Sequence, residues 1–228
     1  MDTVITADHG SLNEASETGT PGIAGKIFSG LFSYVFHPVF IPLYFTWFLL
    51  YVHPSAFSGF SAAEKKQTML IVALNLVFFP LMSVLLTKAV GFIDSILMRT
   101  QKDRIIPYIL CGIFFFWAYL VFKNQPQYPL FLTSYILGIF LASSAALIAN
   151  IYFKISMHAI GMGGLIGIFL MIARSNTMLM TWPLSMALLA TGFVCTSRLL
   201  SRNHDPKDIY LGLFLGIVSQ FAGAIAVI

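Results

Sequence analysis

Charged residues are scarce in this chain. They make up 10% of its 228 residues, whereas a soluble domain averages about 25%. Hydrophobic residues make up 58%, and the mean hydropathy is +0.85. This balance excludes an ordinary soluble domain and indicates an integral membrane protein. The net charge of +4 is concentrated near the ends of apolar segments, which suits anionic phosphate better than a nucleic-acid duplex, so no nucleic-acid partner is predicted.

Cysteine is also rare, and histidine lacks the spacing of a metal site. The two cysteines, Cys111 and Cys195, both lie within apolar segments. We interpret them as small buried hydrophobic side chains that give no indication of a redox compartment. The histidines do not show the paired spacing of a zinc-binding helix, and few acids lie near them. No metal and no cofactor is therefore predicted.

The first 25 residues lack both a cationic start and an apolar stretch, so no signal peptide is visible there. Four acidic residues lie in this stretch among Ser, Thr and Gly. Such a segment is too polar to bury a core, and we expect a disordered tail over residues 1–25. Residues 26–228 are expected to form one transmembrane domain.

Seven apolar segments fill the rest of the chain. The bilayer core cannot satisfy open backbone groups, so these segments are predicted to be helices and not strands. The fold class is therefore all-α, a polytopic transmembrane helix bundle of about six to seven spans. The segments cover residues 27–52, 69–86, 105–122, 128–151, 159–173, 178–194 and 209–228.

Three polar connecting segments follow the second, fourth and sixth of these spans. Each crossing reverses the direction of the chain, so all three lie on the same face of the membrane and a bundle can bring them together. The segments contain the sequences M-R-T-Q-K-D-R, K-I-S-M-H and S-R-L-L-S-R-N-H-D-P-K-D. Pooled, they supply four cations, a hydroxyl, two imidazoles and a carboxylate, which are Lys102, Arg104, Lys154, Arg198, Ser156, His158, His204 and Asp208.

These groups are what phosphoryl transfer without a metal requires. Fixed cations and a hydroxyl can hold the non-bridging oxygens of a phosphate, and their effect grows where there is little water. One imidazole can attack phosphorus while the other protonates the leaving oxygen. His204 and Asp208 are four residues apart, so imidazole and carboxylate can share one helical face, where the carboxylate would hold the attacking ring in one tautomer.

The last polar segment carries a family motif. It reads S-R-x5-H-x3-D, with Ser197, Arg198, His204 and Asp208 at the fixed positions. This pattern resembles, at every fixed position, the third signature of the type 2 phosphatidic acid phosphatase (PAP2) superfamily. The second family signature, P-S-G-H, keeps only its serine and histidine here, as Ser156 and His158. The first, K-x6-R-P, is not reproduced.

Residues 99–107 provide the counterpart of that first signature at a different spacing, as K-x-R-x-x-P. Whether Lys102 or Arg99 takes the role of the signature lysine is left open. The resemblance covers roughly residues 99 to 228, and it implies a PAP2-like core for the domain over residues 26–228.

The resemblance also implies an activity. It implies an integral membrane lipid phosphatase that hydrolyses a phosphate or diphosphate monoester, of the phosphatidic acid or polyprenyl diphosphate type, through a phosphohistidine and without a metal. His204 would be the nucleophile, Asp208 its orienting partner and His158 the acid for the leaving group. The phosphate would be bound by Lys102, Arg104, Ser156 and Arg198.

Two alternatives stay open at this point. One is a transferase of the same superfamily that passes the phosphoryl or head group to another alcohol, and the other is a non-enzymatic lipid-binding or transport protein that retains remnants of the site. The expected partners are a lipid phosphate substrate and the bilayer, with the oligomeric state open.

The cation count does not decide the orientation. Nine Lys and Arg fall on the predicted face of the site and four on the other, but setting aside the four candidate site cations leaves five against four. The resemblance implies a periplasmic or external site in a bacterial inner membrane.

Two further features have structural interpretations. His37, in F-H-P-V-F-I-P, is interpreted as an interfacial or kink-associated residue. Gly161, Gly163, Gly164 and Gly167 are interpreted as a face for close helix packing and not as a phosphate loop.

Overall fold

The structure is a computed structural model that describes residues 22–95, 100–201 and 204–228. Within these ranges all regular secondary structure is helical. Of the tail expected over residues 1–25, residues 1–21 lie outside the described ranges, and the first helix already begins at Ile23. The α-helices are α1 Ile23–Val35, α2 Ile41–Tyr51, α3 Ala62–Ala73, α4 Phe79–Ala89, α5 Lys102–Lys123, α6 Leu130–Ala149, α7 Met157–Arg174, α8 Thr181–Leu200 and α9 Pro206–Val227.

Six helical stretches of the described chain are long and apolar enough to cross a bilayer. They are Ala62–Ala89, which joins α3 and α4, and the single helices α5 to α9. Each overlaps one predicted apolar segment. The prediction of an all-helical, polytopic membrane protein is therefore confirmed, with six candidate spans among the described residues.

The first apolar segment, predicted over residues 27–52, is not one span. It forms α1 and α2, of 13 and 11 residues, separated by a turn that contains His37 and Pro38. Proline lacks the N–H that a helix interior needs, and it disfavours helical geometry in the residue before it. Each piece is shorter than the roughly 20 residues that a spanning helix requires.

The α1 helix packs along the C-terminal half of α8. The Ser29 hydroxyl donates a hydrogen bond of 2.9 Å to the Ser197 carbonyl, and the ring of Phe32 lies 4.9 Å from that of Phe193. The end of α1 and the turn after it are thereby placed beside the last turn of α8, where Arg198 lies.

The joined stretch of α3 and α4 contains a π-helical segment at Leu74–Phe78. It lies just before Pro80, whose ring would crowd the backbone carbonyl one turn earlier in a regular helix. A wider turn relieves that crowding. The stretch therefore runs on past a proline without ending.

The closest helix packing in the described chain involves glycines of α7 and α9. A Cβ on Gly167 would lie 3.1 Å from the Ile217 Cα atom, and one on Gly163 would lie 2.9 Å from the Leu213 Cα atom. The predicted packing face is confirmed at these two positions, whereas Gly161 faces Pro38 at 3.3 Å. As a result the α7 and α9 backbones approach so closely that their N-terminal ends lie side by side.

Candidate active site

Three helices begin, and at least two end, at the same end of the bundle. The α5, α7 and α9 helices begin there, α8 ends there at Leu200, and α6 ends there at Ala149, where the side chain of Asn150 donates to the Gln101 carbonyl at 2.8 Å. The amide nitrogen of Ser156, before α7, donates to the Asp208 carbonyl in α9 at 3.2 Å. Helix N-termini carry partial positive charge and unsatisfied N–H groups. This end of the bundle is therefore suited to bind an anion.

His204 lies just before α9 with a defined ring orientation. Its Nδ1 atom lies 2.9 Å from the Lys154 carbonyl oxygen, and because a carbonyl can only accept, Nδ1 carries the proton. The lone pair of the neutral ring is then on Nε2. Burial, with a further contribution from Arg104 and Arg198, lowers the pKa of His204 to about 4. At ordinary pH the ring is neutral, as a nucleophile requires.

Asp208 does not occupy the position expected of an orienting partner. Its carboxylate lies 3.8 Å from His204 Nδ1, which is too far for a hydrogen bond. The hydrogen bond that fixes the tautomer is made by the Lys154 carbonyl instead. Asp208 is buried and interacts electrostatically with Arg104. The Asp208 carboxylate therefore balances part of the buried positive charge of Arg104.

The two candidate cations on α5 have different surroundings. Arg104 is buried, and its Nη1 atom donates to the Ile155 carbonyl at 2.9 Å. Lys102 is exposed at the first residue of the helix. The structure thus brings Arg104 into a cluster of ionisable side chains and leaves Lys102 outside it. The members of the cluster are Arg104, Arg198, His37, His158, His204 and Asp208. The alternative, Arg99, lies outside the described residues.

Arg198 is the second arginine of the cluster, in the last turn of α8. Its Nη1 atom donates to the Ser33 hydroxyl at 2.9 Å. Its Nε–H is buried and has no hydrogen-bond partner among the described residues. No described carboxylate lies within 4.0 Å of this guanidinium. A buried, unmatched N–H donor is costly unless an acceptor satisfies it, so this side chain is suited to bind an anion.

Ser156 and His158 lie at the start of α7. Ser156 is fully buried, and its hydroxyl accepts from the Ala159 N–H at 3.5 Å as the cap of the helix. His158 Nε2 donates to the Ser33 carbonyl at 3.0 Å, and its ring interacts electrostatically with His204. The structure brings both residues to the cluster, where the Ser156 hydroxyl caps α7. The role of Ser156 as a phosphate ligand stays a prediction.

His37 is a member of the cluster that the sequence interpretation missed. Its ring centroid lies 5.3 Å from that of His158, edge to face. Burial and the charge of Arg198 lower its pKa. The only sequence signal is a histidine next to the proline that interrupts an apolar run, which gives no indication of the neighbours it meets in the fold.

A mostly apolar cavity of about 250 Å³ adjoins the cluster. Arg104 and His37 line it, and the other lining residues come from the turn after His37, from α2, from the π segment and from α4, α5, α6, α7 and α9. Among them are Leu76, Pro80, Cys111, Ile139 and Ala142. The cavity therefore combines a cationic end at Arg104 with a mostly apolar compartment.

Within the described residues no three His, Cys, Asp or Glu side chains are grouped so that they could hold a metal ion. The ionisable groups of the cluster are two arginines, three imidazoles and one carboxylate. No protein-family model, curated protein or solved structure matches this chain.

Proposed function

We propose that this protein is an integral membrane phosphatase with a PAP2-like core, which hydrolyses a phosphate or diphosphate monoester of a lipid through a phosphohistidine. The observation that carries the proposal is that Arg198, whose buried Nε–H has no described acceptor, lies near enough to the neutral His204 to lower its pKa. One group binds an anion and the other can attack it.

The phosphate is bound by the arginines. Arg198 supplies Nε–H, and Arg104 adds a second buried positive charge that interacts electrostatically with Asp208. The N-terminal ends of α7 and α9 add partial positive charge from the helix backbones. In a site with little water, such fixed donors stabilise the charge on the transferring phosphoryl group more strongly than they would in solution.

The reaction has two steps. In the first, Nε2 of His204 attacks phosphorus, the bond from phosphorus to the lipid oxygen breaks, and a protonated imidazole gives its proton to that oxygen. In the second, water attacks phosphorus, the bond to His204 breaks, and the water proton returns to the imidazole. The products are the lipid alcohol, or the shortened phosphate, and inorganic phosphate.

The cavity supports a lipid substrate over a soluble phosphate ester. It begins beside Arg104 and extends among apolar side chains of the spanning helices, so a phosphate at the arginines leaves room for an attached apolar chain. Burial of such a chain contributes about 0.8 kcal/mol for each methylene removed from water. We place the protein in a bacterial inner membrane with this end on the periplasmic side, in line with the family resemblance.

The test is phosphate release by the protein purified in detergent, from phosphatidic acid and a polyprenyl diphosphate, in the presence of a chelator. His204→Ala should abolish release and the acid-labile phosphoprotein formed with labelled substrate. The matched control is His53→Ala, which removes a buried histidine that bonds to Thr177 near the opposite end of the bundle. Full activity of His204→Ala would refute the proposal, and binding without turnover across both lipids would favour a non-enzymatic protein.

A further inference from the structure

His37 lies where the cationic cluster meets the apolar cavity. Its ring lines the cavity together with Arg104, it is edge to face with His158 at 5.3 Å, and it lies close enough to Arg198 to feel its charge. His158 does not line the cavity. Of these two imidazoles, therefore, only that of His37 adjoins both the cluster and the cavity.

The hydrogen bonds of His37 and His158 differ in whether they leave a ring N–H free to donate. His37 Nδ1 accepts from the Val39 N–H at 3.4 Å, so the proton of the neutral ring is on Nε2. That Nε2–H has no hydrogen-bond partner among the described residues. His158 donates its Nε2–H to the Ser33 carbonyl at 3.0 Å. A substrate oxygen can thus receive a hydrogen bond from His37 without the loss of an existing one.

The position of the leaving oxygen follows from the two halves of the substrate. In the proposed function the phosphate lies at Arg104 and Arg198 and the chain lies in the cavity. The oxygen that joins them must lie at the boundary, which is the position of His37. In-line displacement requires His204 to attack from the side of phosphorus opposite to that oxygen.

We propose that His37 is a further catalytic residue, the general acid that protonates the lipid oxygen as it leaves phosphorus. This assignment rests on the proposed function. His37 enters the step as imidazolium. Protonation of Nδ1 replaces its contact of 3.4 Å with the Val39 N–H, and the negative charge of the bound phosphate outweighs the burial and the Arg198 charge that lower the pKa of the ring. As the bond from phosphorus to oxygen breaks and the bond from phosphorus to His204 Nε2 forms, the Nε2 proton of His37 passes to the oxygen. The water that later hydrolyses the phosphohistidine returns a proton to His37.

The test compares two leaving groups. A nitrophenyl phosphate releases a stable phenolate that needs no proton, whereas a lipid alkyl phosphate releases an alkoxide that does. His37→Asn keeps an acceptor for the Val39 N–H and removes the proton donor. We expect kcat/KM for the lipid phosphate to fall about 10²- to 10⁴-fold, as for loss of a general acid, and that for nitrophenyl phosphate to fall less than about tenfold.

Two further variants keep the test decisive. His37→Gln retains a hydrogen-bond donor that cannot transfer a proton, and should show the same dependence on leaving group. His53→Asn, the matched buried histidine at the other end of the bundle, should affect both substrates equally and slightly. Equal loss on both substrates in the two His37 variants, or the leaving-group dependence appearing in His158→Asn instead, would overturn the assignment. A wild-type protein that cleaves neither substrate would overturn the proposed function itself, which is a separate result.

Discussion

The Nδ1 atom of His204 lies 2.9 Å from the carbonyl oxygen of Lys154. The nearest carboxylate oxygen of Asp208 lies 3.8 Å from the same nitrogen. The ring of the proposed nucleophile is therefore oriented by a backbone group that no side-chain substitution removes. In hydrolytic triads the equivalent contact is made by a carboxylate, and its loss costs about 10⁴ in kcat because the histidine changes tautomer.

Asp208→Asn should accordingly have a smaller effect than in such a triad. The Lys154 carbonyl still holds the Nδ1–H, so we expect kcat to fall about tenfold, in contrast to the roughly 10⁴-fold loss of the triad. The measurement is kcat on a lipid phosphate together with the yield of phosphohistidine. Asp205→Asn is the control, since Asp205 is exposed and pairs with Lys207 at 3.9 Å. A 10⁴-fold loss in folded Asp208→Asn would show that the carboxylate, and not the carbonyl, fixes the ring.

The acid limb of the pH profile should report His204. Its pKa is lowered to about 4 by burial and by Arg104 and Arg198. The ring attacks only when it is deprotonated, so kcat/KM for nitrophenyl phosphate should stay level as pH falls to about 5 and decline through about 4. Removal of a neighbouring positive charge in Arg198→Gln raises the pKa and should move the limb to higher pH. A wild-type limb near the ordinary value of about 6.5 would contradict this environment.

Arg198→Gln should also weaken phosphate binding directly. It removes the charge and the buried Nε–H. The loss of one donor to a transferring group lowers kcat by about 10²- to 10³-fold. Arg198→Lys should recover only part of this, because an ammonium lacks the planar fork of guanidinium. The measurements are kcat/KM and inhibition by vanadate. Arg174→Gln is the control, since Arg174 is exposed at the other end of α7; equal effects of the two substitutions would refute an anion site at Arg198.

The sequence could predict the helices but not the interruption of the first apolar segment. Six long stretches follow from hydropathy, because a bilayer requires about 20 apolar residues for each spanning helix. The turn at His37 and Pro38 divides a run that is apolar on both sides, and proline is tolerated within membrane helices. Composition alone therefore does not distinguish a kinked span from two short helices.

The cluster was predictable only where its members lie near the ends of alternate spans. Arg198, His204 and Asp208 satisfy that condition. Lys102 and Arg104 also satisfy it. Side chains two positions apart on an α-helix point about 200° apart, so only one of these two can face the cluster. The rotation of α5 that selects Arg104 depends on its packing against α4 and α6, which the sequence does not specify.

His37 could not be found in this way, because its significance depends on contacts made across the fold. For example, His158 donates to the carbonyl of Ser33 in α1, and these two residues are 125 positions apart in the chain. No pattern of spacing connects α1 with α7. The packing of α1 on α8 places the turn that carries His37 beside the catalytic candidates, and that packing rests on small and aromatic side chains without a recognisable motif.

The cavity predicts a dependence on chain length. Ala142 lies on α6, is buried and lines the cavity, so Ala142→Leu should fill part of the space proposed for the lipid chain. We expect kcat/KM for a long-chain phosphate to fall about tenfold or more, as three lost methylenes cost about 2.4 kcal/mol, while nitrophenyl phosphate is cleaved as before. Ala145→Leu on the same helix, which does not line the cavity, is the control. Equal activity on long and short chains in Ala142→Leu would refute the cavity as the chain site.

Packing of α9 on α7 should be essential for the site because both helices supply residues to it. A Cβ on Gly216 would press against the Ile160 carbonyl and lie 2.7 Å from the Gly164 nitrogen. Both contacts are with backbone, which cannot rotate away, so Gly216→Ala should lower the free energy of unfolding by about 1–3 kcal/mol. The separation of the helices should also displace His204 from Lys154 and reduce activity in the fraction that remains folded.

Gly192→Ala is the matched control on α8, since nothing lies within 4 Å of the added Cβ. Alanine is the better helix former, so this variant should be unchanged or about 0.5–1 kcal/mol more stable. Thermal unfolding in detergent, followed by tryptophan fluorescence, compares the two substitutions. Similar midpoints for Gly216→Ala and the wild type would mean that α7 and α9 are farther apart than described, and that His204 and His158 need not share one pocket.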